Sequence, residues 1–147
     1  MHIYDEIDRI DDFQEKFGLR QSVRRACDLL VSYIGGLQKP LPEIAAQGFN
    51  VALKCKEGSA LLDELETARM QIVNSLKQRG AYINQYPMEH TVSFILGCYQ
   101  DLAHERGLAS YDSDFPSNFV FHSLERVEEF ESNHELFRRL IREYFPT

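Results

Sequence analysis

The sequence predicts an all-α protein, a single compact helical domain of five to seven helices over residues 1–147. Three observations carry that expectation. Apolar residues recur at steps of three and four along most of the chain, the spacing of one helix face. Gly and Pro interrupt those stripes where helices stop and start. The 147 residues, 44% hydrophobic and 27% charged, are enough for one core of ordinary composition. Aromatics reach 12% without any Trp, so Phe and Tyr must supply the bulky packing.

The first stripe is Ile3, Ile7, Ile10, Phe13 and Phe17, with Asp5, Glu6, Asp8, Asp12 and Glu15 between its members and Gly18 placed to end the helix. Leu19, Val23, Cys27, Leu30 and Ile34 form the second, closed by Gly35-Gly36. Pro40 and Pro42 make LQKPLPE a loop. Residues 43–56 read as helix interrupted at Gly48, and Gly58-Ser59 restarts the chain, with Ser59 the expected N-cap of a helix carrying Leu62, Leu65, Ile72 and Leu76 up to Gly80. Pro87 opens a helix with Val92, Ile95, Leu96, Tyr99 and Leu102 inward and Gly107 after it. YDSDFPSN (111–118) has loop composition, and NFVFHSL fits either a short strand or a helix start. Val127 and Phe130 favour helix beyond it. Ser132 and Glu135 are spaced as a capping box, so a last helix should begin at Asn133 with Leu136, Leu140, Ile141 and Tyr144 on its face.

Composition narrows the function. The net charge is -7, which argues against a nucleic-acid binder. No apolar run approaches the ~20 residues of a membrane span, and the acidic MHIYDEIDRIDD is unlike a signal peptide. Cys27, Cys55 and Cys98 show no CxxC spacing; Cys27 and Cys98 fall on apolar helix faces as core thiols of a reducing compartment. A cytoplasmic protein is expected.

Chemistry-bearing motifs are weak. Asp101-x-x-His104 with Glu131-x-x-His134 has the spacing of a di-metal helix bundle, but Asp101 and His104 lie opposite the apolar stripe and the capping box separates Glu131 from His134. No metal site and no cofactor is expected. No G-x-S-x-G, glycine-rich phosphate loop or HExxH occurs. Among the scattered histidines, His122 between Phe121 and Leu124 is the one expected to be partly buried. LPEIAAQGFNVALKCKEG has a helix-turn-helix outline, with a short turn and only Lys54 and Lys56 to offer phosphate.

The acids are segregated. Residues 1–17 and 107–136 are strongly acidic, whereas 18–39 is net positive through Arg20, Arg24, Arg25 and Lys39. The second acidic segment stands beside Tyr111, Phe115, Phe119 and Phe121. Carboxylates next to exposed rings suit a surface that captures a basic protein, charge giving association rate and rings giving affinity. The candidate partner-binding residues are Asp112, Asp114, Glu125, Glu128, Glu129 and Glu131, with Phe115 or Phe119 as apolar anchor. Asp5, Asp8, Asp12 and Glu15 form a second candidate face. On this expectation Glu128 and Glu129 are free to be reversed without harm to folding.

FNVALKCKEGSALLDELETAR (49–69) resembles a helix-loop-helix pattern of small bacterial immunity proteins of polymorphic-toxin and contact-dependent inhibition systems. The matching residues are Ala52, Lys56, Gly58, the pair Glu64-Leu65 and the pair Ala68-Arg69; Met70 and Ile72 replace the aromatics that usually follow. The resemblance implies an inhibitor that binds one cognate toxin and blocks its active site, many such toxins being nucleases with basic clefts. Two other readings compete. A helical enzyme of unrecognised type requires a pocket with convergent polar groups, such as His122 or His104 backed by a carboxylate. A homo-oligomer would bury the aromatics against a second copy.

Overall fold

The protein is described from a computed structural model, which covers residues 2–80 and 85–147. Seven α-helices follow a 3-10 turn at Ile3–Ile7: α1 Asp8–Phe17, α2 Leu19–Gly35, α3 Glu43–Glu57, α4 Leu62–Gln78, α5 Pro87–Leu102, α6 Phe115–Phe130 and α7 His134–Tyr144, with no strand among the described residues. NFVFHSL is therefore helical, and α6 starts at Phe115, inside the stretch expected to be loop, with Pro116 in its first turn where its missing N–H costs nothing.

α2 and α5 are central. α2 buries Val23, Ala26, Cys27, Leu29, Leu30, Val31, Tyr33 and Ile34, and α5 buries Met88, Val92, Ile95, Leu96, Cys98 and Tyr99. Apolar residues on more than one face are what a helix enclosed by others requires. α2 contacts α1, α3, α5, α6 and α7, while α3, α4 and α5 pack mutually on one side. All three cysteines are buried free thiols, and burial pushes the Cys55 thiol up to about 11.

Several local expectations are corrected. α3 runs unbroken through Gly48, so the turn of a helix-turn-helix is absent. Gly48 is a contact residue instead: a Cβ there would stand 2.6 Å from Ile72 Cδ1 and 3.1 Å from Val92 Cγ1. The missing side chain lets α3 approach α4 and α5 closely. The Ile72 methyl can swing away, but Val92 is stiff at χ1 and fully buried. Gly48→Val is expected to destabilise by about 2 kcal/mol through overpacking, despite its better helix propensity; a urea midpoint equal to or above that of the native chain would contradict this.

Ser59 does not cap α4. Its N–H donates to Lys54 O at 2.9 Å, closing α3 behind Gly58, whose left-handed φ of 77° suits glycine. α4 begins after Leu61 without a side-chain cap. The last cap lies one residue later than the sequence implied: Asn133 Oδ1 accepts from Leu136 N at 3.1 Å, and the Asn133 N–H donates to Tyr33 OH. Phe17 is 52% exposed and Leu62 also faces solvent, while Phe137 and Phe145, outside the expected stripe of α7, are fully buried.

The basic segment of α2 serves helix ends. Arg20 Nη1 donates to Leu102 O at 2.7 Å and its Nη2 to His104 O at 2.9 Å, at the C-terminus of α5. Arg25 Nη1 donates to Tyr144 O at 2.9 Å, at the C-terminus of α7. The last carbonyls of a helix lack intrahelical donors and carry the negative end of its dipole, so guanidinium groups satisfy both needs. The positive stretch noted in the sequence is therefore structural.

One acid of the N-terminal segment is structural too. Glu6 is 3% exposed and accepts from Arg142 Nη2 at 2.5 Å, joining the 3-10 turn to α7. The Arg142 hydrogen bond holds its carboxyl below the ordinary glutamate value of 4.5, against the opposing effect of burial. With the folded value below the unfolded one, its stabilisation is complete above the unfolded value and is lost as pH falls through the folded one. Glu6→Gln should therefore destabilise the protein at pH 7 and do so less at pH 3; an equal urea-midpoint difference at both pH values would contradict this.

Candidate binding groove

Between α5 and α6, with Arg69 of α4 and Tyr111 also lining it, runs an open groove of about 840 Å³. Its exposed lining is mostly apolar, with four aromatic rings. Phe115 and Phe119 stack at 5.3 Å between centroids, Tyr111 meets Phe115 edge-on at 4.5 Å, and Phe94 stands 40% exposed on the α5 side. The helical period explains the gathering. Phe115, Phe119, His122, Arg126 and Glu129 recur at steps of three and four along one face of α6, as Phe94, Gly97 and Asp101 do along α5.

The polar lining is mixed in sign. Arg126 Nε donates to Thr91 Oγ1 at 3.0 Å and its Nη2 to Ser123 Oγ at 3.1 Å, and its guanidinium lies 4.9 Å over the Phe94 ring. Burial lowers the pKa of this arginine. Arg69 Nη1 donates to Gln100 Oε1 at 3.2 Å, while its buried Nε has no hydrogen-bond partner. Gly97 makes room for that guanidinium: a Cβ there would lie 3.3 Å from Arg69 Nε. Tyr111 OH donates to Asp101 Oδ2 at 2.5 Å, and burial first, then this bond, raises the phenol's pKa. His122 Nδ1 and Glu125 Oε1 are 3.0 Å apart at the mouth.

The candidate acids separate into two kinds. Glu125 and Glu129, one helical turn apart, are exposed at the groove mouth, and Asp112 and Asp114 are exposed in the loop before α6. Glu128 and Glu131 are half-buried and engaged. Glu128 accepts from Tyr4 OH at 2.9 Å and shares a 2.5 Å hydrogen bond with His134 Nε2; Glu131 Oε2 accepts from Lys39 N at 2.7 Å. The expectation that Glu128 can be reversed without cost is thus corrected, because that carboxylate fastens the N-terminus and the start of α7 to α6. Phe119 is 7% exposed, so only its edge reaches the groove and it is no exposed anchor; Phe115, half-buried, and Phe94 fill that place. Phe121 lies against Tyr4, 4.9 Å between centroids.

His122, expected to be partly buried, is 62% exposed at the rim. It has the carboxylate neighbour an enzyme would need, but Glu125 is itself exposed, so the pair is that of an ordinary i,i+3 surface contact. His104 is exposed, and its carbonyl is tied to Arg20. Asp101 serves Tyr111 while Glu131 and His134 take separate partners, so the two carboxylate-x-x-His pairs do not converge. Among the described residues no three His, Cys, Asp or Glu side chains gather as a metal site, and no helix is long and apolar enough to cross a membrane. Nothing in the sequence signals that Phe94 and Arg126 line a groove, and Arg69 stands out there only within the resemblance at 49–69, not as a groove residue.

Fold and groove define an all-helical domain with a lined, open cleft on one side. A comparison with protein-family models, curated proteins and solved structures finds no match to this chain.

Proposed function

We propose that this protein is an acidic, cytoplasmic binding protein that neutralises a basic protein partner by docking on it, as a bacterial immunity protein does with its cognate toxin. The observation that carries this reading is the pairing of Glu125 and Glu129, exposed one turn apart, with the apolar groove they overlook. Exposed carboxylates steer a cationic surface toward the groove, and Phe94 and Phe115 give it apolar area to bury. Asp112 and Asp114 extend the acidic rim. A nuclease with a basic cleft is the partner class that such a rim fits.

The test uses the protein encoded beside this chain. Its C-terminal domain, if basic, should arrest growth when expressed alone, and co-expression of this chain should restore growth through a complex that survives gel filtration. A domain that is not toxic, or whose toxicity this chain leaves unchanged, would overturn the proposal.

A further inference from the structure

Beneath its acidic mouth the groove holds two guanidinium groups that make no contact ion pair among the described residues, Glu125 acting on Arg126 only at longer range. Among the described residues Arg69 and Arg126 form no ion pair, and their hydrogen bonds go to the neutral Gln100, Thr91 and Ser123. Each guanidinium carries five N–H donors. Arg69 Nε is buried against Gly97 without a hydrogen-bond partner, and Arg126 is held by neutral hydroxyls and by Phe94 at a half-buried position. A protein that carries net charge -7 and nonetheless leaves two cations unpaired beside aromatic rings has the elements of an anion site with apolar surroundings.

We propose that the groove between α5 and α6 binds a small amphipathic carboxylate, its apolar body among Phe94, Phe115 and Phe119 and its carboxylate drawn in by the positive charge of Arg69 and Arg126, which both line the groove. This inference does not rest on the partner-docking reading. The opposing charges are Glu125, Glu129 and Asp101. The first two stand in water at the mouth, where screening weakens them, and Asp101 is hydrogen-bonded by Tyr111. A half-buried guanidinium is screened less, so attraction within the groove outweighs repulsion at its edge. The rim should still weaken anion binding measurably.

The probe is 4-phenylbutanoate, titrated into the ¹⁵N-labelled full chain, with the uncharged 4-phenylbutanamide as its counterpart. The acid should shift the amide signals of Phe94, Gly97, Phe119 and Arg126 and bind about tenfold more tightly than the amide, the value of one charge-assisted contact. Arg69→Gln should remove most of that preference. Arg126→Lys, which keeps the charge but not both hydrogen bonds to Thr91 and Ser123, should retain part of it, with circular dichroism checking that the helices remain. Glu125→Gln with Glu129→Gln should tighten the acid while weakening a basic protein partner, so the two readings fail separately. Equal affinity for acid and amide, shifts confined to another face, or no binding at millimolar probe would overturn the proposal.

Discussion

Phe137→Ala is expected to lower the free energy of unfolding by about 3–5 kcal/mol, the range for removing a fully buried aromatic ring. Phe137 is fully buried in α7 and meets Tyr33 of α2 edge-on at 5.3 Å. Tyr33 in turn accepts the N–H of Asn133, the residue that caps α7. Truncation therefore opens a void beside the ring that fixes the start of the same helix. α7 packs on α2 and on the 3-10 turn and is joined to α2 near both ends by Arg25 and Asn133, so the site collapses only partly. Urea denaturation with circular dichroism measures the loss. A change below about 1 kcal/mol would mean that α7 packs less tightly than its buried residues indicate.

The second large effect concerns charge reversal on α6, where two adjacent glutamates should behave oppositely. Glu128→Lys removes the acceptor of Tyr4 and His134 and sets a cation beside that histidine, so a stability loss of about 1–3 kcal/mol is expected. Glu129→Lys, at the exposed mouth, should change stability by less than about 0.5 kcal/mol. In partner association the order inverts. Glu125→Lys with Glu129→Lys should slow binding to a basic domain by about tenfold or more at low salt, through lost steering, with a smaller effect at high salt. Stopped-flow association across a salt series separates this from any loss of folded protein.

Much of the fold is legible in the sequence because its helices are separated by unambiguous punctuation. Gly18, Pro87 and Asn133 each stand at or next to a helix boundary, and the stripe Val23, Cys27, Leu30, Ile34 is buried as its period requires. What escapes is whatever depends on how helices meet. Gly48 has the composition of a break and the role of a contact, because the nearness of Ile72 and Val92 is a property of three helices together. On α7, Phe137 stands three and four residues before Leu140 and Ile141, so the helical period itself carries it inward against Tyr33, and the stripe drawn through Leu136 was displaced by one residue.

The candidate site was legible to the same depth. Glu125 and Glu129 are exposed, as the sequence reading of this segment expected. That Glu128, one residue away, turns to Tyr4 depends on where the N-terminus lands. Likewise Arg126 lines the groove because α5 presents Thr91 and Phe94 to it, a consequence of how the two helices pack.

The most direct measurement is the salt dependence of association between this chain and a basic toxin domain of the proposed partner class, for the native protein, for Glu125→Lys with Glu129→Lys, and for Asp8→Lys with Asp12→Lys. The expected result is a flattened salt dependence in the α6 pair alone, with native rates in the α1 pair. Native rates and native salt dependence in the α6 pair would show that the partner lands elsewhere, and that the acids at the groove mouth are solvated surface and nothing more.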